Sequence, residues 1–270
     1  MTQISLGRAW DESAAFVKRH AGLLFPIAFV LVAIPAAILA ATTPGAEQGQ
    51  LPPAGPWIAL LAASIVLGLA GQIALTFLAV RGDSTVGQAI GRGFRRFLPL
   101  FGAMLLVFLA LLILAFFVIL VIALLTPGAA STPPDRDATL KVFRITLLLF
   151  APLLVYLGAR ILPLTPTAAA EEGGPLTLLR RSFALTRGNV WRLVGFILLV
   201  AVLVVVVNLA VASVGAIVAT LVGGEIRPGS ISSFIVLLIG AALQTVITVY
   251  LATIIARIYV QLAGEPSSGI

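Results

Sequence analysis

The amino-acid sequence predicts an all-α polytopic membrane protein, with six transmembrane helices arranged as three parallel repeats and an amphipathic interfacial helix at the head of each. Composition is the first observation behind this: 60% of the 270 residues are apolar and 10% are charged. Mean hydropathy is +1.16, and a soluble domain carries roughly 25% charged residues. The second observation is a set of uncharged runs long enough to cross a hydrocarbon core about 30 Å thick, which takes about 20 helical residues. The third is a gapless internal pattern. Aligning Leu6, Val86 and Leu179 also superposes Ala9, Ala89 and Ser182; Trp10, Ile90 and Phe183; Val17, Phe97 and Val190; and Gly22, Gly102 and Gly195. So much apolar surface cannot be hidden in water, and lipid admits no unpaired sheet edge. The pattern is therefore read as a membrane unit used three times, over residues 1–82, 83–172 and 173–270 of a single membrane domain spanning 1–270.

The first unit opens with an amphipathic segment ending near His20, and the run Ala21 to Ala46 supplies its first span. The length of that run, and the twenty residues containing Asp11 and Glu12 before it, argue for a span rather than a cleaved signal. A proline- and glycine-rich turn, Thr42 to Pro56, returns the chain to the membrane, and the run Gln48 to Val80 holds the second span. In the second unit Asp83, Ser84 or Thr85 is placed to cap a helix. Val86, Ile90, Phe94 and Phe97 share one face of it, away from Gln88, Arg92, Arg95 and Arg96. Phe97 to Pro134 contains the third span, followed by the turn Thr126 to Thr139. The fourth span, Ile145 to Ala159, is short and interrupted by Pro152, and the arginines at its ends, Arg144 and Arg160, must reach outward to complete the crossing. In the third unit Pro175 follows Gly173-Gly174 and suits the first turn of a helix. Leu176, Leu179, Phe183 and Val190 form its apolar stripe, with Arg180, Arg181 and Arg187 as the basic face. The runs Leu193 to Gly224 and Pro228 to Ala256 hold the last two spans around the turn Gly223 to Ser230.

Six spans sort the 17 basic residues unevenly. Arg136, Lys141, Arg144 and Arg227 fall on one side and all the others on the side of the termini, which the positive-inside rule makes cytoplasmic. The net charge of +7 then describes a basic inner face meeting anionic lipid headgroups, at about 1 kcal/mol per nearby cation. Arg8, Arg19, Arg92, Arg95, Arg96, Arg180 and Arg187 are candidate headgroup contacts. Nucleic acid does not fit the same charge, because no soluble domain carries it and no aromatic side chains interleave with it as a stacking surface.

Catalytic chemistry is scarcely represented. The chain has one histidine, His20, and no cysteine. All ten acidic residues are expected outside the spans, and the pairs Asp11/Glu12, Asp135/Asp137 and Glu171/Glu172 read as solvated loop neighbours rather than facing groups in a cleft. His20 reads as a headgroup or water contact. Gly87, Gly91 and Gly93 are not followed by the Gly-Lys-Ser/Thr of a phosphate loop and read as close packing against a neighbouring span. No enzyme activity, cofactor or metal is expected. Gln72, Asn208 and Gln244, with Thr76 and Thr248, are the notable polar groups within the bilayer, and Ser64, Gly68, Gln72 and Thr76 stand at successive i+4 positions. They admit two readings: helix contacts worth about 1 kcal/mol each, or a path for a passive or amphiphile transporter. The spans contain no Asp, Glu or Lys, the usual intramembrane markers of ion coupling.

The run from Pro163 to Arg192 combines an acidic pair and glycines (Glu171-Glu172-Gly-Gly), then Arg181-Ser182-Phe183, then Thr186-Arg187-Gly188-Asn189 before the next helix. It resembles the inner loop of the glycerophosphoryl diester phosphodiesterase membrane domain family and related bacterial six-span proteins. The resemblance implies a multi-pass protein of the bacterial cytoplasmic (inner) membrane, placed beside phospholipid headgroups, with Arg181, Asn189 and Arg192 at the matched positions. It does not imply enzyme activity, since the catalytic domain of some family members needs histidines and metal-binding carboxylates that this composition lacks. A non-catalytic lipid-interacting or scaffold protein is thus the leading expectation, with membrane lipids or a membrane-protein partner as its contacts.

Overall fold

A computed structural model describes residues 4–42, 55–82, 84–128, 135–223 and 231–264. They form nine α-helices: α1 (Leu6–Ala28), α2 (Ile34–Thr42), α3 (Trp57–Arg81), α4 (Val86–Leu125), α5 (Arg136–Ile161), α6 (Leu164–Ala170), α7 (Pro175–Leu185), α8 (Val190–Gly223) and α9 (Ile231–Ala263). No strand occurs among the described residues, and six helical stretches are long and apolar enough to cross a bilayer. Most of each of the three turns expected on the far side lies outside the described residues.

The three segments expected to be amphipathic join the long helices in three different ways. In α1, Ser5 caps the N-terminus by accepting a hydrogen bond from the Arg8 amide at 3.4 Å. Ala9, Ser13, Phe16 and Val17 form its buried face, and the helix then kinks at His20, whose backbone leaves helical geometry (φ −113°, ψ 16°). Pro26, which lacks an amide proton, lies three residues before a π-helical turn over Phe29–Ala33 that leads into α2. The second segment runs unbroken into its span: α4 has 40 residues and extends about 60 Å. Thr85 and Gln88 form a reciprocal capping box at its start. The third segment is a separate helix, α7, with Pro175 in its first turn, and the turn Thr186–Asn189, with Gly188 at φ +91°, divides it from α8. The aligned residues Ala9, Ala89 and Ser182 are all completely buried.

Helix α3 is the centre of the packing, touching α2, α4, α6 and α9. Its close approach to α4 depends on Gly93, where a side-chain carbon would collide with the Ala70 carbonyl oxygen. Gly71 also lies close to the π-helical turn: a carbon there would be 2.9 Å from Leu31 Cβ. Helix α6 has no counterpart in the sequence reading. It is a short buried helix packed against α3, α4 and α9, and Leu164, Ala168 and Ala169 join Ile73, Leu100 and Leu178 in one apolar cluster.

The core lies toward one end of the bundle. The buried residues of α4 are Ala89, Gly93, Leu100 and Ala103, all near the end where α6 and α7 sit. Beyond them α4 presents exposed side chains as far as Leu125. The two described chain ends meet at this same end, since the Ser5 amide donates to Gln261 Oε1 at 2.9 Å and Gln261 Nε2 donates to the Ser5 carbonyl at 3.3 Å. It is called here the termini face, and its opposite the distal face.

Candidate lipid-contacting surface on the termini face

Charged side chains on the termini face divide into a set that holds the fold together and a set left facing outward. The first set centres on the acidic pair between α6 and α7. Helix α6 ends with unsatisfied carbonyls, which any helix does, and Arg92 of α4 supplies their donors: Nε to the Ala169 carbonyl at 3.0 Å and Nη2 to that of Ala170 at 3.5 Å. The same guanidinium reaches Glu172 at 3.1 Å, and Arg96 reaches it at 2.9 Å. The hydrogen bond from Arg92, followed by the charge of Arg96, holds the Glu172 carboxyl below the usual carboxylate range. Glu171 turns the other way, accepting from Arg181 Nε at 2.8 Å and from the Tyr259 hydroxyl at 2.9 Å. The two neighbouring carboxylates therefore tie α6 to α4, α7 and α9. They lie in a loop, as the sequence led one to expect, and the Glu172 side chain is 79% exposed, but both are ion-paired to neighbouring helices rather than free.

Two more arginines act inside the fold. Arg160, at the end of α5, donates to the Phe183 carbonyl at 3.1 Å and to the Tyr156 hydroxyl at 2.9 Å, while its own carbonyl accepts from Ser182 Oγ at 2.7 Å. Its guanidinium also lies over the rings of Tyr156 and Phe183. Arg192 donates to the Ile4 carbonyl at 3.1 Å. Of the candidate headgroup contacts, Arg92, Arg96, Arg181 and Arg192 thus have protein partners, and Arg8 pairs with Glu12 at 3.2 Å. Asn189, a matched position of the motif, starts the run into α8 by accepting at its carbonyl from the Arg192 and Leu193 amides, both at 3.1 Å.

Arg19, Arg95, Arg180 and Arg187 form the other set. All four are exposed, and none makes an ion pair among the described residues. Arg95 makes only a bond to the Gly91 carbonyl of its own helix, at 3.3 Å. Lys18 and Arg81 are exposed and unpaired in the same way. Both were already on the basic side of the charge count but not among the candidates, and their place at the borders of the uncharged runs from Ala21 and to Val80 was the signal that could have selected them. Trp10 is exposed on α1, and Trp191 is 80% exposed at the start of α8, consistent with the aromatic girdle of a membrane interface.

Arg257 behaves differently. It is only 6% exposed, its guanidinium lies 5.2 Å from the centre of the Phe16 ring, and its Nε has no hydrogen-bond partner. His20 lies against that same ring, tilted by 32° with centroids 4.4 Å apart, and donates from Nδ1 to the Phe16 carbonyl at 3.1 Å. The kink in α1 is thus packed against a buried cation of α9, and His20 is engaged with protein.

The intramembrane polar residues are not gathered into one path. Gln72 lines an open groove of about 450 Å³ between the π-helical turn, α3 and α4, with Ser64 and Gly68 beside it and Phe101 and Phe108 opposite. Thr76 is buried and donates to the Gln72 carbonyl at 2.6 Å. Thr248 is buried on α9, whereas Gln244 is exposed and does not line that groove. Asn208 is exposed and satisfied within its own helix, donating to the Val204 carbonyl at 2.8 Å.

The model of a family described as Domain of unknown function (DUF7847) matches residues 5–262, and the chain belongs to that family. No curated protein and no solved structure matches the chain.

Proposed function

We propose that this member of the DUF7847 family is a non-catalytic, multi-pass protein of the bacterial cytoplasmic membrane that engages anionic lipid headgroups through its termini face. The observation that carries the reading is the set of exposed cations left without an ion pair: Lys18, Arg19, Arg81, Arg95, Arg180 and Arg187. Among the described acidic residues of this face, Glu12, Glu171 and Glu172 are engaged with other arginines, and Asp11 makes no ion pair. Exposed tryptophans on α1 and α8 support the same placement. So does the likeness of the Pro163–Arg192 run to the glycerophosphoryl diester phosphodiesterase membrane domain. The excess of basic residues on the termini face supports a cytoplasmic orientation for both ends.

The test separates outward-facing from structural arginines. Native mass spectrometry of the purified chain with phosphatidylglycerol should show less retained lipid for Arg180→Gln/Arg187→Gln. Arg181→Gln should retain lipid at the parent level while losing thermal stability, because its guanidinium holds Glu171. Equal lipid retention by the parent and the double variant would remove the reading. Reporter fusions at either end that prove active outside the cytoplasm would remove the orientation. A carrier for an amphiphile is favoured by one observation, the groove at Gln72, and it requires Gln72→Leu to abolish uptake or exchange of that amphiphile.

A further inference from the structure

Helix α5 is mismatched with the helices beside it. It packs against both α4 and α8. Their uncharged stretches, Phe97–Leu125 and Leu193–Gly223, extend about 43 Å and about 46 Å at helical rise. The corresponding stretch of α5 runs only from Ile145 to Ala159, which leaves about 24 Å between the Cα atoms of Arg144 and Arg160. The end at Arg160 is fixed, because its guanidinium is bonded to the carbonyl of Phe183 in the interfacial helix α7. The shortfall therefore lies at the distal end.

The turn between α4 and α5 fixes the depth of the cations there. The Asp135 amide donates to the Gly128 carbonyl at 3.3 Å, which brings the end of α4 level with the start of α5. Counting down both helices at 1.5 Å per residue puts Arg144 beside Phe117, about 12 Å below the tip of α4. Lys141 lies one turn nearer the tip on the same face. Both side chains are exposed and make no ion pair or hydrogen bond among the described residues. Asp137, one turn before Lys141, donates its amide to Asp135 and makes no ion pair with either. At the same depth and above it, α4 still presents apolar side chains outward: Leu124 is 73% and Leu125 is 78% exposed.

The two helices make opposite demands on the bilayer. Hydrocarbon deep enough to cover α4 to its tip would submerge two unpaired cations, and such groups draw headgroups and water down to themselves. Outward-reaching side chains shorten the gap without closing it. We propose that Lys141 and Arg144 form a binding pair for the phosphate of distal-leaflet phospholipids, holding headgroups near the level of Phe117 and thinning the bilayer beside α5. The last two turns of α4 then stand in the headgroup layer. This pair lies on the face opposite the cations of the proposed function and is independent of it.

The absence of cysteine from the chain allows a direct test in nanodiscs of phosphatidylcholine and phosphatidylglycerol, which expose both faces. Val121→Cys, in the last two turns of α4, should react with a membrane-impermeant maleimide about tenfold faster than Leu109→Cys, placed near mid-bilayer. Adding Lys141→Gln/Arg144→Gln should slow Val121→Cys to nearly the Leu109→Cys rate, and adding Arg144→Lys instead should leave it fast. Slow labelling of Val121→Cys in the otherwise unchanged chain would overturn the proposal, since hydrocarbon would then cover α4 despite the cations. Fast labelling that persists after both are neutralised would overturn it too, because the thinning would not come from them.

Discussion

Three glycines in the first turns of α4 should respond to alanine with opposite signs. At Gly93 the added carbon would run into the carbonyl oxygen of Ala70, a backbone atom that cannot rotate away. Helix α4 would have to withdraw from α3 by about 1 Å, enough to forfeit a quarter to a half of each affected dispersion contact. Overpacking of this kind costs about 1–3 kcal/mol, against which alanine returns about 1 kcal/mol of helix propensity. At Gly87 and Gly91 nothing lies within 4 Å of the new carbon, so only the propensity gain of up to about 1 kcal/mol remains. Thermal unfolding of the detergent-solubilised chain, followed by the loss of tertiary signal, should therefore place Gly93→Ala below the parent and the other two at or above it. For a chain of this size each kcal/mol moves the midpoint by about 2–4 °C. A Gly93→Ala midpoint equal to that of Gly91→Ala would refute the argument, for the close contact between α3 and α4 would then be dispensable.

The remaining predictions concern the charged network and the uneven core. Because the folded-state carboxyl of Glu172 is held below its usual value of 4.5, its stabilising contribution is complete above that pH and disappears as pH falls through the depressed value. The melting difference between the parent and Glu172→Gln should thus be present at pH 7 and shrink on acidification below 4.5; a difference that grows in acid would contradict the pairing with Arg92 and Arg96. At Arg257, burial of a guanidinium whose Nε has no partner costs several kcal/mol, more than the roughly 0.5–2 kcal/mol of its contact with Phe16. Arg257→Met should therefore melt at or above the parent, and a loss as large as that of Arg257→Ala would sink this reasoning. Leu100→Ala, at a completely buried position, should cost about 2–5 kcal/mol. Leu114→Ala, on the exposed length of the same helix, should stay within about 0.5 kcal/mol, and equal losses would deny that the core sits at one end.

Composition and periodicity made the class and the span count legible, because the length of an uncharged run is a local property that a bilayer reads directly. A cap for α4 among Asp83, Ser84 and Thr85, of which Thr85 is the one used, and Pro175 in the first turn of α7 were legible for the same reason: each acts within its own turn. The joins between amphipathic segment and span were not, since whether a helix bends at His20, continues through Leu100 or breaks at Gly188 depends on what packs against it. Helix α6 was hidden because Leu164–Ala170 is too short to show a period and is stabilised from outside, by Arg92 at its last carbonyls. The candidate surface was half legible. Side and sign of charge follow from counting, but the partners of Glu171 and Glu172 come from α4, α7 and α9, at separations of about ten to ninety residues.

Those partnerships also bear on what the termini face offers to a membrane. If Glu171 and Glu172 were free, they would offset neighbouring cations of α4 and α7. Bound to Arg92, Arg96 and Arg181 instead, they do not offset the exposed cations; Asp11 is the described acid of this face without an ion pair. At about 1 kcal/mol each, the six exposed cations amount to an attraction of about 6 kcal/mol at low salt, reduced over a screening length of about 8 Å at physiological ionic strength. The two acids therefore serve two ends at once: they fasten α6 to three other helices and they leave the exposed arginines unneutralised by themselves. Loss of Glu171 or Glu172 by substitution would release arginines to the surface as well as loosen the fold. The two effects oppose one another in a lipid-retention assay, which is why such variants must be read for stability and lipid together.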